Sequence, residues 1–166
     1  MRTVVVQVEK CEVAVLVGYR PGSGEETEAV LARASSRPKS QALDAMREVM
    51  TARALAPLKL QVDGTPLVPT SVRAKIGVEP GGSRPMVVVL VTYGLPRGRT
   101  LALQSTDTRT TRISWADRAS GRVEISHAPT QGHWYPGVAS FLLSLAPGDS
   151  TCAPPSALPS RSASSR

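Results

Sequence analysis

His127 and His133 are the only histidines in the chain, six positions apart around a Pro-Thr-Gln-Gly turn. With Asp107 or Asp117 they could ligate a metal, because histidines at adjacent strand ends can converge on one ion. No carboxylate lies between them, however, and six residues across a loop is not a recognised ligand spacing. Solvated loop histidines are the ordinary reading, so no metal and no other cofactor is expected. Other chemistry has still less support. There is no GxSxG elbow to present a serine, and no serine whose neighbours would activate it. The glycines between Gly77 and Gly82 match neither GxGxxG nor GxxxxGK[ST], which argues against a phosphate-cradling loop. No CxxC or Cys/His cluster offers a zinc site.

Two further sets of residues point to binding instead of catalysis. Trp134 and Tyr135, inside Gly132-His133-Trp134-Tyr135-Pro136-Gly137, are the one aromatic concentration. Rings flanked by turn residues can stack a sugar or a base; equally, they can plug one end of a core that is short of aromatics. Arg109, Arg112, Arg118 and Arg122 surround Trp115 and could make an anion-attracting face. Arginine on the outside of a sheet also serves to blunt edge-to-edge aggregation.

The elements that would position these residues are mostly strands. Thr3–Val8 and Cys11–Tyr19 read as a hairpin, with Cys11, Val13, Val15 and Val17 on one face. Ser23 and Glu26 have capping-box spacing and open a short helix over about 24–34. The Ser35-Ser36-Arg37-Pro38 break separates it from a second helix, Lys39–Leu55, ended by Pro57. In that helix Leu43, Met46, Val49 and Met50 follow helical spacing and give an apolar side with Arg53 at its margin. Met46 and Met50 read as core and not as a soft-metal stripe. Leu58, Leu60 and Val62 then alternate with polar residues into Asp63-Gly64, the residue pair of a tight hairpin turn. Val72, Ala74, Ile76 and Val78 alternate again. Met86–Tyr93 is an unbroken apolar run, expected as a central strand buried on both faces. Thr100–Gln104, Thr111–Trp115, Arg122–Ser126 and Val138–Leu145 complete the strands. From residue 146 to 166 proline, serine and alanine dominate without periodicity, the pattern of a disordered tail. The expected architecture is mainly β: an immunoglobulin-like antiparallel β-sandwich over residues 1–145. Its two-helix insertion, about 24–56, falls between the second and third strands.

Composition narrows the partners. Aromatic residues make up 4% of the 166, so the core must be built from valine, leucine, isoleucine and alanine. A net charge of +7 suggests nucleic acid or another polyanion as one partner class. Against this, the arginines are dispersed and no run of four basic residues occurs. Of the two cysteines, Cys11 lies in an apolar run and reads as a small buried hydrophobe; a disulfide to the distant Cys152 is the alternative. No run approaches the about 18 apolar residues of a membrane span. Met1-Arg2 leads into VVVQVEK, which lacks the h-region of a signal peptide. Read literally, the chain is cytoplasmic.

One resemblance bears on this. The strand pair TVVVQVEKCEVAVLVGY, the helical stretch reaching Leu55, the LKLQVDGTPL strand with its turn, and the paired strands around ISWADRASGRVEIS resemble a known domain. It is the extracytoplasmic domain that precedes the membrane helices in hydrogenase- and urease-accessory nickel permease-type bacterial proteins. The resemblance runs from Val4 to Ser126. It implies a sandwich of accessory or structural type, placed outside the cytoplasm and acting on an unidentified protein partner. No metal ligand of the membrane helices maps onto this chain, so transport is not implied. The expectation is a non-enzymatic module acting through protein contacts, with polyanion binding as the alternative.

Overall fold

The computed structural model describes residues 1–9, 11–22, 25–78, 85–107, 109–115, 123–124, 134–135 and 139–145. It opens on β1 (Arg2–Val8) and β2 (Glu12–Tyr19), an antiparallel hairpin in which Val4 lies opposite Val17 and Val6 opposite Val15. Two helices follow, α1 (Glu25–Ser35) and α2 (Lys39–Leu55). Then come β3 (Leu58–Val62), β4 (Thr65–Pro66), β5 (Pro69–Val78), β6 (Pro85–Gly94) and β7 (Thr100–Ser105). The remaining strands are β8 (Thr111–Trp115), β9 (Val123–Glu124), β10 (Trp134–Tyr135) and β11 (Ala139–Leu145). The chain is thus mainly β, in two sheets ordered β10-β8-β1-β2-β6-β5 and β4-β3-β7-β11-β9.

Valine alternation decides which faces meet. Val4, Val6 and Val8 of β1, Val13, Val15 and Val17 of β2, and Val87, Val89 and Val91 of β6 are all buried. They form one core with Leu60, Val62, Leu101, Leu103, Leu143 and Leu145 from the other sheet. β-Branched side chains suit this pleated, half-buried setting. Helix α2 adds Met50 and Ala54 to the core, and α1 adds Val30.

Several expectations hold. Both helices fall where the Pro38 and Pro57 breaks place them; Pro38 stands at the N-cap of α2. Leu60 and Val62 are buried, and Asp63 (φ 48°) and Gly64 (φ 81°) both take left-handed backbone, the requirement of a type I′ turn. Asp63 does more than turn the chain. Its carboxylate accepts hydrogen bonds from the backbone amides of Arg99 (3.0 Å) and Thr100 (2.9 Å), which fixes where β7 begins. A side chain at Gly64 would meet nothing within 4 Å, so only backbone strain opposes one. Gly64→Val is accordingly expected to lower stability by about 1 kcal/mol or more. A thermal melt equal to wild type would remove that assignment.

Other expectations need correction. Leu43 does not face the core: it is 59% exposed, and the buried side of α2 is Ala45, Met50 and Ala54, with Met46 and Val49 only partly buried. β6 is not buried on both faces. It is second from the sheet edge, with Val87, Val89 and Val91 inward and Leu90 outward and exposed. The strands flanking the polar connection after Trp115 do not pair: β8 belongs to the six-stranded sheet and β9 to the five-stranded one. β8 runs parallel to β1, with Ile113 opposite Val4, so the pairing is not antiparallel throughout. Cys11 is no buried hydrophobe; it is exposed and disulfide-bonded. Cys152, the residues 146–166 and Ser23 of the capping box lie outside the described residues.

Candidate functional site

Among the described residues, polar side chains concentrate around Arg2, which no sequence motif marks. Arg2 stands in phase with Val4, Val6 and Val8, on the inward face of β1, and is only 1% exposed. Each nitrogen of its guanidinium donates a hydrogen bond. Nε donates to the carbonyl of Ala54 (3.0 Å) and Nη2 to that of Arg53 (2.9 Å), while Nη1 is paired with the Asp107 carboxylate. Arg53 and Ala54 belong to the last turn of α2, where carbonyls lack intrahelical donors and the helix dipole favours a cation. Arg2 therefore serves as a long-range C-terminal cap.

Asp107 reaches this position because Thr106, just beyond β7, donates its amide to the Pro57 carbonyl (2.9 Å). Arg109 closes the cluster. Its backbone amide (3.0 Å) and Nε (3.2 Å) donate to Asp107 Oδ1, and its Nη2 to Oδ2 (3.2 Å). Both guanidinium carbons stand over the buried Tyr19 ring, 5.4 Å from its centroid for Arg2 and 5.7 Å for Arg109. These are cation–π distances. The signal that marks Arg2 in the sequence is a charge in register with a row of buried valines.

Burial alone would raise the Asp107 pKa. The Arg109 backbone amide, the Arg109 side chain and Arg2 outweigh it and lower the carboxyl from 3.8 to about 2. A general base works best near the operating pH, so a carboxylate this acidic and this fully paired is a structural anion. The consequence for stability has a definite sign. A carboxyl held down from 3.8 to about 2 contributes about 2 kcal/mol at neutral pH. That contribution is complete above the unfolded value near 4 and is lost as the pH falls from there through about 2. Urea unfolding of Asp107→Asn should therefore lack the loss of stability that wild type shows across that window.

The anticipated binding residues are placed as follows. Arg109 belongs to the buried cluster just described. Arg112 is exposed on β8, and β10 pairs there, with Trp134 opposite Arg112 and Tyr135 opposite Thr111. Trp134, Tyr135 and Arg112 thus share one sheet edge. His127, His133, Arg118 and Arg122 lie outside the described residues. Among the described residues no three His, Cys, Asp or Glu side chains gather closely enough to hold a metal. Nor is any described helix long and apolar enough to cross a membrane.

A second feature is the outer face of the six-stranded sheet. Register places Ser114, Val5, Leu16, Leu90 and Arg73 in one row across β8, β1, β2, β6 and β5. Leu16 is 41% exposed and Leu90 37%. The neighbouring row runs Arg112, Thr3, Gly18, Val88 and Lys75. The face is apolar in its middle and basic at its two margins. Neither described helix covers it: α2 packs with β2, β5 and β6 from the core side, through Met50 and Ala54, and α1 packs on α2.

No family model matches this chain, and no curated protein or solved structure is detectably similar to it.

Proposed function

We propose that the chain is a non-enzymatic sandwich module of immunoglobulin-like type that works through protein contacts, on the extracytoplasmic side of a bacterial membrane. The observation that carries this reading is the open face around Val5, Leu16 and Leu90. Contiguous exposed apolar surface on an otherwise well-filled sandwich is characteristic of protein contact. The disulfide at Cys11 supports the location, since structural disulfides persist in oxidising compartments. It agrees with the resemblance to the soluble domain of nickel permease-type accessory proteins, and that kinship is part of the proposal.

Polyanion binding is the second reading, favoured by Arg112, Arg73 and Lys75 lying on the same outer face. Spacing weighs against it. Arg112 and Lys75 are four strands apart, about 19 Å at the usual interstrand distance. The intervening surface offers Val88 and Leu90 where a phosphate backbone would want cations.

The two readings separate in one experiment. Leu16→Glu together with Leu90→Glu removes the apolar stripe at exposed positions, so the melting temperature should hold. Cross-linking in an envelope fraction should then lose the partner that wild type captures. Retention of both proteins on heparin above about 0.15 M salt, with the cross-link unchanged, would overturn protein contact in favour of polyanion binding.

A further inference from the structure

Among the described residues, three of the four sheet edges are strands of two residues: β10, β4 and β9. The fourth, β5, runs for ten, with β6 as its one described neighbour. Pro69 and the register shift before Ser71 disturb only its start, and from Ser71 onward the pairing with β6 is regular. In an antiparallel strand every second residue turns its N–H and C=O away from a given neighbour. Along residues 71–77 no described group meets those turned away from β6. Such an edge is a template for another strand.

The inward side of β5 is unfinished as well. Val72 and Ala74 lie opposite Val91 and Val89, on the core side of the sheet. Yet Val72 is 47% exposed, with no described strand on its outer flank. A groove of about 780 Å3 opens there, lined by Val72 and Ala74 and, on α2, by Gln41, Asp44, Arg47 and Glu48. Asp44 and Arg47 pair with each other at 2.7 Å along that wall. The charge that would choose a partner is on the other face, where Arg73 and Lys75 are both exposed.

We infer that β5 takes up an extended segment of a partner protein as a further strand of the sheet. Its alternate side chains are acidic beside Arg73 and Lys75 and apolar beside Val72 and Ala74. In strand addition the backbone bonds supply affinity and the alternating side chains supply specificity. The same charges exclude a second copy of this chain. Two β5 strands paired about Ala74 would set Arg73 opposite Lys75, and paired about Arg73 they would set it against its own copy. Like charges directly opposite are destabilising. Residues 146–166 are no better suited, with four prolines that lack an N–H and a single acidic residue. The edge is a contact surface beyond the apolar one around Leu16 and Leu90.

The test is a titration of the full chain with a capped peptide of five valine–glutamate repeats, followed by amide NMR. One saturable site is expected, with shifts confined to β5 and the groove side of α2. Saturation should slow hydrogen exchange at every second amide between 71 and 77. Proline–glutamate repeats carry the same charge without the amides of a strand, and should not bind. Arg73→Glu combined with Lys75→Glu changes two exposed side chains, so the melting temperature should hold. It should weaken the valine–glutamate peptide about tenfold and admit valine–lysine repeats instead. Leu16→Glu, two strands away, should bind the peptide like wild type. Loss of binding in that variant would move the site to the outer face and overturn the proposal. So would the absence of a saturable site, equal binding of proline–glutamate repeats, or binding that the double charge reversal leaves unchanged. Protection of the outward amides in the free chain would overturn it too, because the edge would then already be occupied. None of these outcomes bears on protein contact at Leu16 and Leu90, which cross-linking reads separately.

Discussion

Arg2→Met is expected to lower the unfolding free energy by about 3–5 kcal/mol, the usual cost of removing one partner from a buried ion pair. Three acceptors lose their donor at once: the Asp107 carboxylate and the carbonyls of Arg53 and Ala54. Asp107 keeps Arg109, which moderates the loss at the carboxylate. The buried carbonyl of Ala54 loses the donor described above, and a buried acceptor left unmade costs about 1–3 kcal/mol. Arg2→Lys should recover little. An ammonium is a point charge on a flexible stem and cannot serve two carbonyls and a carboxylate with the planar fork that Arg2 uses. Urea denaturation measures both variants. A second signature distinguishes this mechanism from simple loss of packing. Combining Arg2→Met with Asp107→Leu should cost less than the sum of the two single changes, because neither fully buried partner is left facing the gap of the other, while Arg109, 38% exposed, stays in reach of solvent. Strict additivity would mean that the ion pair contributes nothing of its own.

The Arg2 cluster also shows where sequence reading stops. Local signals placed most elements. Pro38 and Pro57 bound α2, Asp63-Gly64 turns the β3–β4 hairpin, and alternating valines lay out β1, β2 and β6. Each of these is decided by steric rules within a few residues. Pairings across long stretches of chain are not. Nothing near Ile113 announces that β8 lies parallel to β1, more than a hundred residues away. Nothing near Val123 announces that β9 joins the other sheet. A charge such as Arg2 is read as surface because buried charges are rare, and its partners lie 51, 52 and 105 positions along the chain. The anion-attracting reading of Arg109 had the same weakness, since Asp107 beside it and Tyr19 above it engage that side chain. The candidate site was therefore less legible than the fold. The pairing that sets Trp134 opposite Arg112 joins strands about twenty residues apart, and no local signal announces it.

Arg2 fixes only the end of α2; its length is held by side-chain packing, and Met50 is the residue that tests this. Met50 is 0% exposed and belongs to the same core cluster as Val89, Val91 and Val15. The other buried side chains of the helix, Ala45 and Ala54, are small and let the helix lie close to the sheet. Most of the buried apolar volume that α2 contributes is therefore Met50, with Met46, Val49 and Leu55 only partly buried beside it. Met50→Ala is expected to cost about 2–5 kcal/mol, the sum of lost transfer energy and an unfilled cavity. Met50→Leu, close in volume, should cost less than about 1.5 kcal/mol. The exposed Leu43 supplies the control: Leu43→Ala should move stability by no more than about 0.5 kcal/mol. Chemical denaturation of the three variants orders them. If Leu43→Ala cost as much as Met50→Ala, the helix would present a different face to the sheet, centred on Leu43, as its apolar spacing first implied. A Met50→Ala protein that keeps its β-sheet signal but loses helical circular dichroism would locate the damage in α2. It would also show that the sandwich holds together without the helix that lies against its inner face.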